Sequence, residues 1–412
     1  MTVRSRHATI IALHDMTYSS RVFKQADALH DAGFVVTLVG IVQRSTDPTE
    51  EGHPFGRVIR VRTTRHLHAE SQRQGTPSDT RIAPRGSALK GIRIFLGRMR
   101  DNRLLARAAI ATDCDVVIAS DLTAWAAGWM VKRRTGTPLV LDVRDLVTDS
   151  GRNHPCSYNR LLGWLERVLI HRADAVTAAS PGFVDVLAKR YPRAPKATAV
   201  YSGAFERVPE AVPAHQPLRL FFQGRFAANR RLDELVRAVA QVETVDVRLT
   251  LQGFGEEEQR IRALVAELDA GDRIEFIPPC GPREVVRCAS VYDVGIINYH
   301  GDTLNLRLTV PIKLLDYMAA GLAVLASDLP AVRSVIEAER CGALFAPDGA
   351  DSLARAIETI ADDTAVVTEM KANAVRASER YLSANQGQVF VEVVNGLLGF
   401  RADAPCPKRA GS

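Results

Sequence analysis

Short apolar runs alternate with helical patterns along most of the chain. In the first half, the strand-type runs are ATIIAL (8–13), FVVTLVG (34–40), DVVIAS (115–120), PLVLDV (138–143), ADAVTAAS (173–180) and ATAVYSG (197–203). The segments between them place apolar residues at helical spacing, as in SRVFKQADALHDAG, and predict helices. Near-continuous apolar strands separated by helices are typical of a parallel sheet that is covered on both faces.

The same pattern restarts in the second half. Its strand-type runs are LRLFFQG (218–224), VDVRLTLQG (245–253), RIEFIP (273–278), DVGIIN (293–298) and LAVLAS (322–327). The polar stretch GAFERVPEAVPAHQPLR separates the two series and is interpreted as a linker. We therefore predict an α/β protein with two doubly wound, Rossmann-like domains at residues 1–205 and 206–384.

Composition narrows the class of protein only modestly. The chain has 412 residues, a net charge of +6 and six cysteines, and the cysteines form no C-x2-C pair. The mild basic charge suits a phosphorylated ligand, an anionic membrane or nucleic acid without choosing among them. No apolar run has the length of a spanning helix, and the N-terminus lacks a signal-sequence pattern. We expect a soluble, cytoplasmic protein with reduced thiols.

Two segments depart from the strand–helix alternation. Residues 63–87 are polar and arginine-rich, which predicts a flexible loop. Residues 88–110 predict a helix with a break near Asp101-Asn102, and its apolar residues Ile92, Phe95, Leu96 and Met99 share one face. The favoured interpretation is a helix that packs this face on the core and exposes a basic side. The alternative is a surface that meets anionic lipid at the inner membrane face.

Polar residues at the carboxyl ends of the strands are the candidates for chemistry, because ligands bind at that edge of open parallel sheets. In the first domain these residues are His14, Asp15, Ser20, Arg21, Asp121, Asp142 and Arg144. In the second domain they are Gly224, Arg225, Gly253 and the segment that leads to Asn305. Two domains that face each other with these edges are expected to enclose a cleft lined by both charges.

The stretch PIKLLDYMAAGLAVLAS (311–327) predicts a short helix followed by a buried strand. Lys313 and Asp316 lie off the apolar face of this helix, so its charged side is available for a ligand. A helix N-terminus offers free N–H groups to an anion, and a carboxylate accepts hydrogen bonds from a ribose. A simple Lys313–Asp316 pair at i, i+3 is the alternative.

Other motifs are weak. Asp113 and Asp115 resemble a metal-binding Asp-x-Asp, but they precede their strand and so lie at the wrong edge of the sheet. The GFGEEE stretch has only two of the glycines of a dinucleotide fingerprint, and the chain has neither a P-loop nor a Gly-x-Ser-x-Gly elbow. We predict no metal site and no cofactor.

Four stretches together resemble the donor domain of the family-4 retaining glycosyltransferases. They are FFQGRFAANRRLDELVRAV, LTLQGFGEEEQRIRALV, DVGIINYHGDTLNLRLTVPIKLLDYMAAGLAVLASDLPAV and CGALFAPDGADSLARAI, in the family's order over about 215–360. The resemblance implies the GT-B fold, in which two Rossmann-like domains face each other across a cleft. It further implies that a helix at about 385–401, within the last segment 385–412, crosses back onto the first domain.

The resemblance also implies roles for individual residues. Arg225 and Arg230 match the paired basic residues that clamp the donor diphosphate and act in catalysis, with Arg230 where lysine is usual. The alternatives are an ion pair of Arg225 with a surface acid and a solvated helix start at 230–231. The residues implied in donor binding are Gly224, Arg225, Arg230, Gly253, Asn305, Thr309, Val310, Lys313 and Asp316. Asp121 lies where a histidine is often found and is the third catalytic candidate. The acceptor-side candidates are His14, Asp15, Ser20, Arg21, Asp142 and Arg144.

The chain departs from the family pattern at several positions. The Glu-x7-Glu pair is replaced by Leu308 and Asp316, so the first acid is missing. Asn305 and the Pro-x-Lys pattern instead resemble a variant branch of the family. HDMTYSSR replaces the glycine-rich first loop.

The resemblance implies a retaining, metal-independent glycosyltransferase that uses a nucleoside diphosphate sugar, and we expect UDP or GDP as the nucleotide. The acceptor is expected to be a polysaccharide or lipid-linked saccharide, or a natural product. Nucleic acid is not an expected partner, and peripheral membrane contact through 88–110 is a further expectation. The alternatives are a nucleotide-sugar epimerase of the same fold and a non-catalytic partner subunit that has lost the first acid.

Overall fold

The computed structural model of the protein describes residues 5–14, 20–42, 47–63, 88–149 and 155–399. Asp15, most of the predicted loop 63–87 and the tail after residue 399 lie outside the described residues. The chain divides into two compact units. The first unit contains residues 1–200 and 387–412, and the second contains residues 201–386.

The first unit is built on a sheet with the strand order β3-β4-β2-β1-β5-β6-β7-β8. Its strands are β1 (Arg6–Ala12), β2 (Phe34–Ile41), β3 (Glu50–His53), β4 (Gly56–Val61), β5 (Val116–Ser120), β6 (Leu139–Val143), β7 (Ala175–Ala178) and β8 (Ala197–Ala199). Every pair is parallel except β3–β4. The predicted doubly wound sheet is therefore confirmed, with an added antiparallel edge strand.

The edge hairpin β3–β4 is absent from the sequence-based prediction. The EEGH sequence of β3 has no apolar pattern, so nothing in it indicates a strand. Gly56 begins β4 at a φ of 145°, and a Cβ there would lie 2.2 Å from the Val36 carbonyl oxygen. The close approach of β4 to β2 therefore requires glycine at this position.

The helices of the first unit cover both faces of this sheet, as expected for βαβ connections. They are α1 (Ser20–Asp31), α2 (Ala88–Ile110), α3 (Trp125–Thr135), α4 (Cys156–Ile170) and α5 (Pro181–Arg190). Buried strand residues such as Ile10 and Leu38 form the core together with Phe390 and Val394. Residues of the C-terminal helix thus complete the core of the first unit.

The predicted break in α2 is wrong, because the helix runs without interruption through Asp101 and Asn102. Asn102 is fully buried, and its side-chain amide donates to the Thr123 carbonyl and accepts from the Ala127 N–H. These bonds satisfy a residue that would otherwise favour a helix end. The predicted core face is also wrong in part, since Ile92 and Leu96 are exposed while Phe95 is buried.

The second unit contains a fully parallel sheet with the order β11-β10-β9-β12-β13-β14. Its strands are β9 (Leu218–Arg225), β10 (Val247–Phe254), β11 (Ile274–Ile277), β12 (Val294–Ile297), β13 (Ala323–Ser327) and β14 (Gly342–Phe345). The predicted order of elements is confirmed, and β14 is an additional edge strand.

The helices of the second unit follow the strands in alternation. They are α6 (Leu232–Gln241), α7 (Glu258–Glu267), α8 (Val285–Ala289), α9 (Leu304–Leu308), α10 (Ile312–Ala319), α11 (Pro330–Glu339), α12 (Ala350–Asp362) and α13 (Thr364–Tyr381). The last helix, α14 (Ser383–Leu397), begins in the second unit and continues in the first. Within the described residues, no helix is long and apolar enough to span a membrane.

Candidate functional site

The carboxyl edge of the second sheet brings β9 and β10 together at a pair of glycines. Gly224 pairs with Gly253 in the parallel register, and their φ angles are 141° and 152°. A Cβ on Gly253 would lie 1.9 Å from the Gly224 carbonyl oxygen. Only glycine fits at position 253, so the ends of β9 and β10 approach each other closely at this edge.

Arg225 ends β9 and points into solvent. Its side chain is 68% exposed and forms an ion pair with Glu256 at 3.0 Å. The surface pair considered as the alternative for Arg225 is therefore present in the structure. Exposed pairs of this kind contribute little to stability, and Arg225 can leave Glu256 for a stronger anion at small cost.

Arg230 is held over an aromatic ring. It ends a short 3-10 turn, Ala228–Arg230, and its guanidinium carbon lies 4.9 Å from the centroid of the Tyr299 ring. Tyr299 is buried and follows β12, so it fixes the arginine at the carboxyl edge of the sheet. A guanidinium on an aromatic face keeps its donors available to an anion.

Lys313 lies in the first turn of α10 and turns inward. Its Nζ lies 3.9 Å from the centroid of the Phe222 ring and 5.8 Å from that of Tyr299. A Cβ on Gly224 would lie 3.4 Å from the same atom. Nζ is shielded from solvent and has no hydrogen-bond partner in the described part of the chain. The alternative of a Lys313–Asp316 pair is therefore not realised as a hydrogen bond, although the Asp316 carboxylate acts electrostatically on the amine by raising its pKa.

The charge state of Lys313 follows from this placement. Burial, with the Arg230 guanidinium nearby, holds the pKa of Lys313 well below its ordinary value. Burying an ammonium group without a counter-charge costs roughly several kcal/mol of free energy, even after the surrounding protein relaxes. A cation–π contact returns only about 2 kcal/mol. Burial and the Arg230 guanidinium therefore both disfavour the charged form of Lys313 while no anion is present.

Helix α10 is fixed to the sheet through Tyr317. The Tyr317 hydroxyl accepts a hydrogen bond from the Gln223 N–H at 2.9 Å, and its ring packs where a Cβ on Gly295 would lie. No side chain caps the first turn of α10, whose N-cap is Pro311. Its free N–H groups therefore remain available near Lys313.

The remaining donor-side candidates lie on or beside α9 and α10. Asn305 is half-buried on α9, and its carbonyl accepts from the Thr309 hydroxyl at 2.6 Å. Val310 is buried against the core, so only its backbone can reach a ligand. Asp316 is half-buried in the second turn of α10.

A polar cluster that the sequence did not indicate lies beside Arg230. His300 Nε2 is 2.6 Å from a Glu234 carboxylate oxygen, and its Nδ1 is 3.4 Å from the Arg231 guanidinium. Asn298 adds a hydrogen bond from its amide to the Arg231 carbonyl. The available signal was the position of His300 directly after a strand end. Its partners on α6 could not be read from the sequence.

The carboxyl edge of the first sheet contains a buried ion pair. Arg21 donates to both oxygens of Asp142 at 2.9 and 2.7 Å, and Thr177 donates to the same carboxylate at 2.7 Å. Burial alone would raise the pKa of Asp142, but the Arg21 guanidinium and the hydrogen bonds hold it below the usual value. Because Arg21 and Asp142 pair with each other inside the unit, they stabilise the carboxyl edge of the sheet. Their acceptor role stays a prediction.

His14, Arg144 and Asp121 lie at the ends of β1, β6 and β5. Arg144 donates to His14 Nε2 at 3.1 Å, and burial together with this guanidinium lowers the pKa of His14 to about 4. Asp121 has a φ of 68°, and its carboxylate accepts from the Leu122 N–H. Ser20 begins α1 and is half-buried. His14 is therefore neutral near pH 7.

The other possible sites give no support for a metal. Asp115 accepts a hydrogen bond from the His7 N–H at the amino end of β5. Across residues 5–14, 20–42, 47–63, 88–149 and 155–399, no group of three or more His, Cys, Asp or Glu side chains converges as a metal site.

Two family models match consecutive parts of the chain. A model described as a glycosyl transferase 4-like domain matches residues 18–203, and a model described as glycosyl transferases group 1 matches residues 217–363. The chain belongs to the family-4-like glycosyltransferases of the GT-B fold. A search of the curated proteins finds no significant match.

Solved structures share the fold of this glycosyltransferase. A sucrose-phosphate synthase from Thermosynechococcus elongatus has a TM-score of 0.75 and 18% identity, covering 96% of this chain and 99% of that chain. HepE from Anabaena, in complex with UDP, has a TM-score of 0.66 and 14% identity, covering 95% and 100%. WaaG, a glycosyltransferase involved in lipopolysaccharide biosynthesis, has a TM-score of 0.64 and 13% identity, covering 95% and 100%. At these identities the likeness shows the fold alone.

In this glycosyltransferase the carboxyl edge of the second sheet gathers several groups that can bind an anion. Arg230 and Lys313 lie on the same Tyr299 ring, and Arg225 ends the neighbouring strand. The free first turn of α10 adds N–H donors to this positive edge. This arrangement can bind a diphosphate through several charge-assisted hydrogen bonds.

Proposed function

We propose that this glycosyltransferase transfers a sugar from a nucleoside diphosphate sugar with retention of anomeric configuration and without a metal ion. The observation that carries the proposal is the Arg230 guanidinium held on the Tyr299 ring, with the Lys313 amine over the same ring, at the carboxyl edge of the second sheet. The fixed guanidinium gives the site positive charge that a metal would otherwise supply to the diphosphate, and the amine is a second group that can donate to the same anion.

The proposed reaction breaks the bond between the anomeric carbon and the diphosphate oxygen. A new bond forms from the same carbon to the acceptor hydroxyl oxygen, on the same face of the sugar. The acceptor proton passes to the departing diphosphate oxygen, so charge and atoms balance. Negative charge develops on the diphosphate during this step, and fixed cations such as Arg230 stabilise it most in the transition state. No covalent enzyme intermediate is part of this proposal.

In the proposal UDP is the preferred nucleotide, because the HepE structure of similar fold contains UDP. Leu308 cannot replace the missing first acid, since its side chain has no hydrogen-bonding group. Asn305, one turn earlier on the same helix, is proposed to contact the transferred sugar instead. In this proposal the chain belongs to the variant branch of the family that Asn305 and the Pro-x-Lys pattern resemble.

The first unit is proposed to hold the acceptor at the carboxyl edge of its own sheet. Neutral His14 and the carboxylate of Asp121 are suited to accept hydrogen bonds from sugar hydroxyls. Arg144 suits an acceptor that carries a phosphate or a carboxylate. A polysaccharide, a lipid-linked saccharide and a glycosylated natural product all offer such groups.

The function is tested first by binding and then by product analysis. We expect UDP or GDP to raise the melting temperature equally in EDTA and in magnesium. Transfer from the corresponding sugar nucleotide should give a product whose anomeric coupling constant, measured by ¹H NMR, matches that of the donor. Loss of activity in EDTA with rescue by magnesium would contradict the metal-free site. An epimer formed from donor alone would indicate the epimerase, and absence of nucleotide binding would indicate the non-catalytic subunit.

Asp316 is predicted to hold the ribose of the donor. Removing a hydrogen bond to a charged group costs about 1.5–3 kcal/mol, so Asp316→Ala should weaken UDP binding about tenfold to a hundredfold. The same change should affect 2′-deoxy-UDP much less, and Asp316→Glu should keep partial affinity. Titration calorimetry measures these affinities. Asp351→Ala, which removes an exposed acid from α12, is the matched control. Equal losses for both nucleotides would leave Asp316 with a structural role only.

We also propose that the α2–α4 surface touches an anionic membrane. The exposed apolar side chains on this surface are Leu89, Ile92 and Leu96 of α2 and Trp164 and Val168 of α4. The two helices meet where the Ser157 hydroxyl donates to the Ala88 carbonyl. The exposed cations of α2 are Lys90, Arg93, Arg100, Arg103 and Arg107. An apolar surface bordered by cations matches the chemistry of anionic lipid headgroups above acyl chains.

Vesicle binding tests this surface. Each cation near an anionic membrane contributes about 1 kcal/mol, so changing Arg93, Arg100 and Arg103 to Gln should lower partitioning on the order of a hundredfold. Co-sedimentation with phosphatidylglycerol-containing vesicles measures the loss. The control replaces the exposed second-unit residues Arg237, Arg248 and Arg355 by Gln, which gives the same net charge. Equal partitioning of the two triple variants would contradict a specific surface.

A further inference from the structure

The ε-amino group of Lys313 is a buried ionisable group at the candidate donor site. Its Nζ is shielded from solvent without a hydrogen-bond partner in the described chain. The atom lies over the Phe222 ring at 3.9 Å and close to the backbone of Gly224, where the proposed diphosphate would bind. A buried polar group without a partner at a ligand site indicates that the ligand supplies the missing contact.

The surroundings of Lys313 oppose a positive charge in the empty site. From β9 it faces the uncharged Phe222 and Gly224, with Arg225 at the exposed strand end. From the 3-10 turn it faces the cation Arg230, and from the end of β12 it faces the neutral phenol of Tyr299. Arg230 disfavours a second cation nearby.

Helix α10 contributes the remaining groups. Asp316 is the acidic neighbour that favours the charged form, and its effect is smaller than those of burial and Arg230. Tyr317 keeps its proton, because burial raises the pKa of its hydroxyl. The balance of these groups changes only when a strong anion enters beside Arg230.

We propose that Lys313 takes up a proton from solvent when the diphosphate of the donor binds, so that this glycosyltransferase couples donor binding to protonation. The inference rests on the proposed function, because it needs a nucleoside diphosphate beside Arg230. One proton is added to the neutral amine on binding, and the ammonium then donates to the diphosphate oxygens. The proton stays on Nζ during transfer and returns to solvent after the nucleoside diphosphate leaves.

This coupling has a defined pH dependence. The pKa of Lys313 is low in the free protein and rises in the complex, so the complex carries more protons in the window between the two values. Affinity therefore falls as pH rises through that window, by at most about tenfold per pH unit for one proton. Below the window both states are charged, and above it both are neutral, so the slope disappears at each end.

The donor itself must not titrate in the experiment. A terminal phosphate has a second pKa of about 6, which would add its own proton exchange with free UDP. A sugar nucleotide lacks this ionisation because both phosphates are esterified. The probe is therefore UDP-glucose or GDP-glucose, whichever stabilises the protein more in a thermal-shift assay.

Calorimetry in buffers of different ionisation enthalpy counts the protons. We expect binding to take up a substantial fraction of one proton in the wild-type protein when the pH lies between the Lys313 pKa values of the free protein and the complex. Lys313→Met and Lys313→Arg should both reduce uptake to nearly zero, the first with weaker binding and the second with binding retained, because arginine is always charged. The unliganded Met variant should melt at or above the wild-type temperature, since it removes a buried amine without a partner.

His300 provides the control, since it is another titratable group beside Arg230. His300→Gln should leave the uptake unchanged if Lys313 is its source. Uptake that persists in Lys313→Met, or binding of the wild type without uptake, would overturn the inference while the proposed function stands. Failure of every sugar nucleotide to bind would overturn both.

Discussion

Changing Arg230 to Ala is expected to lower the turnover of this glycosyltransferase by about 10²–10³-fold, with little effect on its folding. The loss follows from removing one preorganised charge from the developing anion of the leaving diphosphate. In the described part of the chain, the Arg230 side chain contacts the fold through the Tyr299 ring, so the change in melting temperature should be small. Initial rates at saturating donor, together with thermal melting, measure the two effects separately.

Arg237→Ala is the matched control for this substitution. Arg237 is an exposed arginine on α6, the helix that follows the 3-10 turn of Arg230. It should keep wild-type turnover. An Arg230→Ala protein that melts early but retains specific activity would assign Arg230 to the fold. Arg225→Ala should also reduce turnover, because Arg225 is free to exchange Glu256 for the diphosphate.

Changing Arg21 to Ala is expected to cost the first unit about 3–5 kcal/mol of folding free energy. The substitution leaves the Asp142 carboxylate buried without its partner. Removing one partner of a buried ion pair destabilises a protein strongly, because the remaining charge is uncompensated. Replacing both residues by apolar ones, as in Arg21→Met with Asp142→Leu, should cost less than Arg21→Ala. The interior then contains no unpaired charge, although Thr177 loses one acceptor.

Tryptophan fluorescence during urea unfolding reports this effect directly. The chain has three tryptophans, Trp125, Trp129 and Trp164, and all belong to the first unit. The signal therefore follows the first unit alone. Arg103→Ala removes an exposed arginine from α2 and should leave the unfolding curve unchanged. A double variant less stable than Arg21→Ala would show that the carboxylate is tolerated without its partner.

The sheets could be predicted from the sequence because buried parallel strands are almost continuously apolar. Every predicted strand is present, and the strand ends place Arg225 and Gly253 at one edge. The β3–β4 hairpin was not predictable, because β3 has no apolar pattern and forms a strand only by pairing with β4. The expected break at Asp101-Asn102 failed for a related reason. The side chain of Asn102 is satisfied by residues 123–127, which the local sequence does not reveal.

The candidate site was less predictable, because chemistry depends on the direction of side chains. Arg21 and Asp142 both lie near the carboxyl ends of strands, where ligand-binding residues are expected. In the structure they instead form an ion pair with each other inside the unit. Lys313 appears on the charged face of α10 in the sequence, while the structure turns it inward onto Phe222. His300 and Glu234 are 66 residues apart, and only the register of β12 beside β9 brings them together.

The contribution of Phe390 and Val394 to the first core has a consequence for synthesis on the ribosome. The first 200 residues emerge with that core incomplete, and the missing side chains follow only after the whole second unit, residues 201–386. At 5–20 residues per second, this interval lasts roughly 10–40 s. The nascent first unit therefore exposes apolar surface throughout that time, whereas the second unit has its full sequence as soon as residue 386 emerges. In the order of completion, the second unit precedes the first.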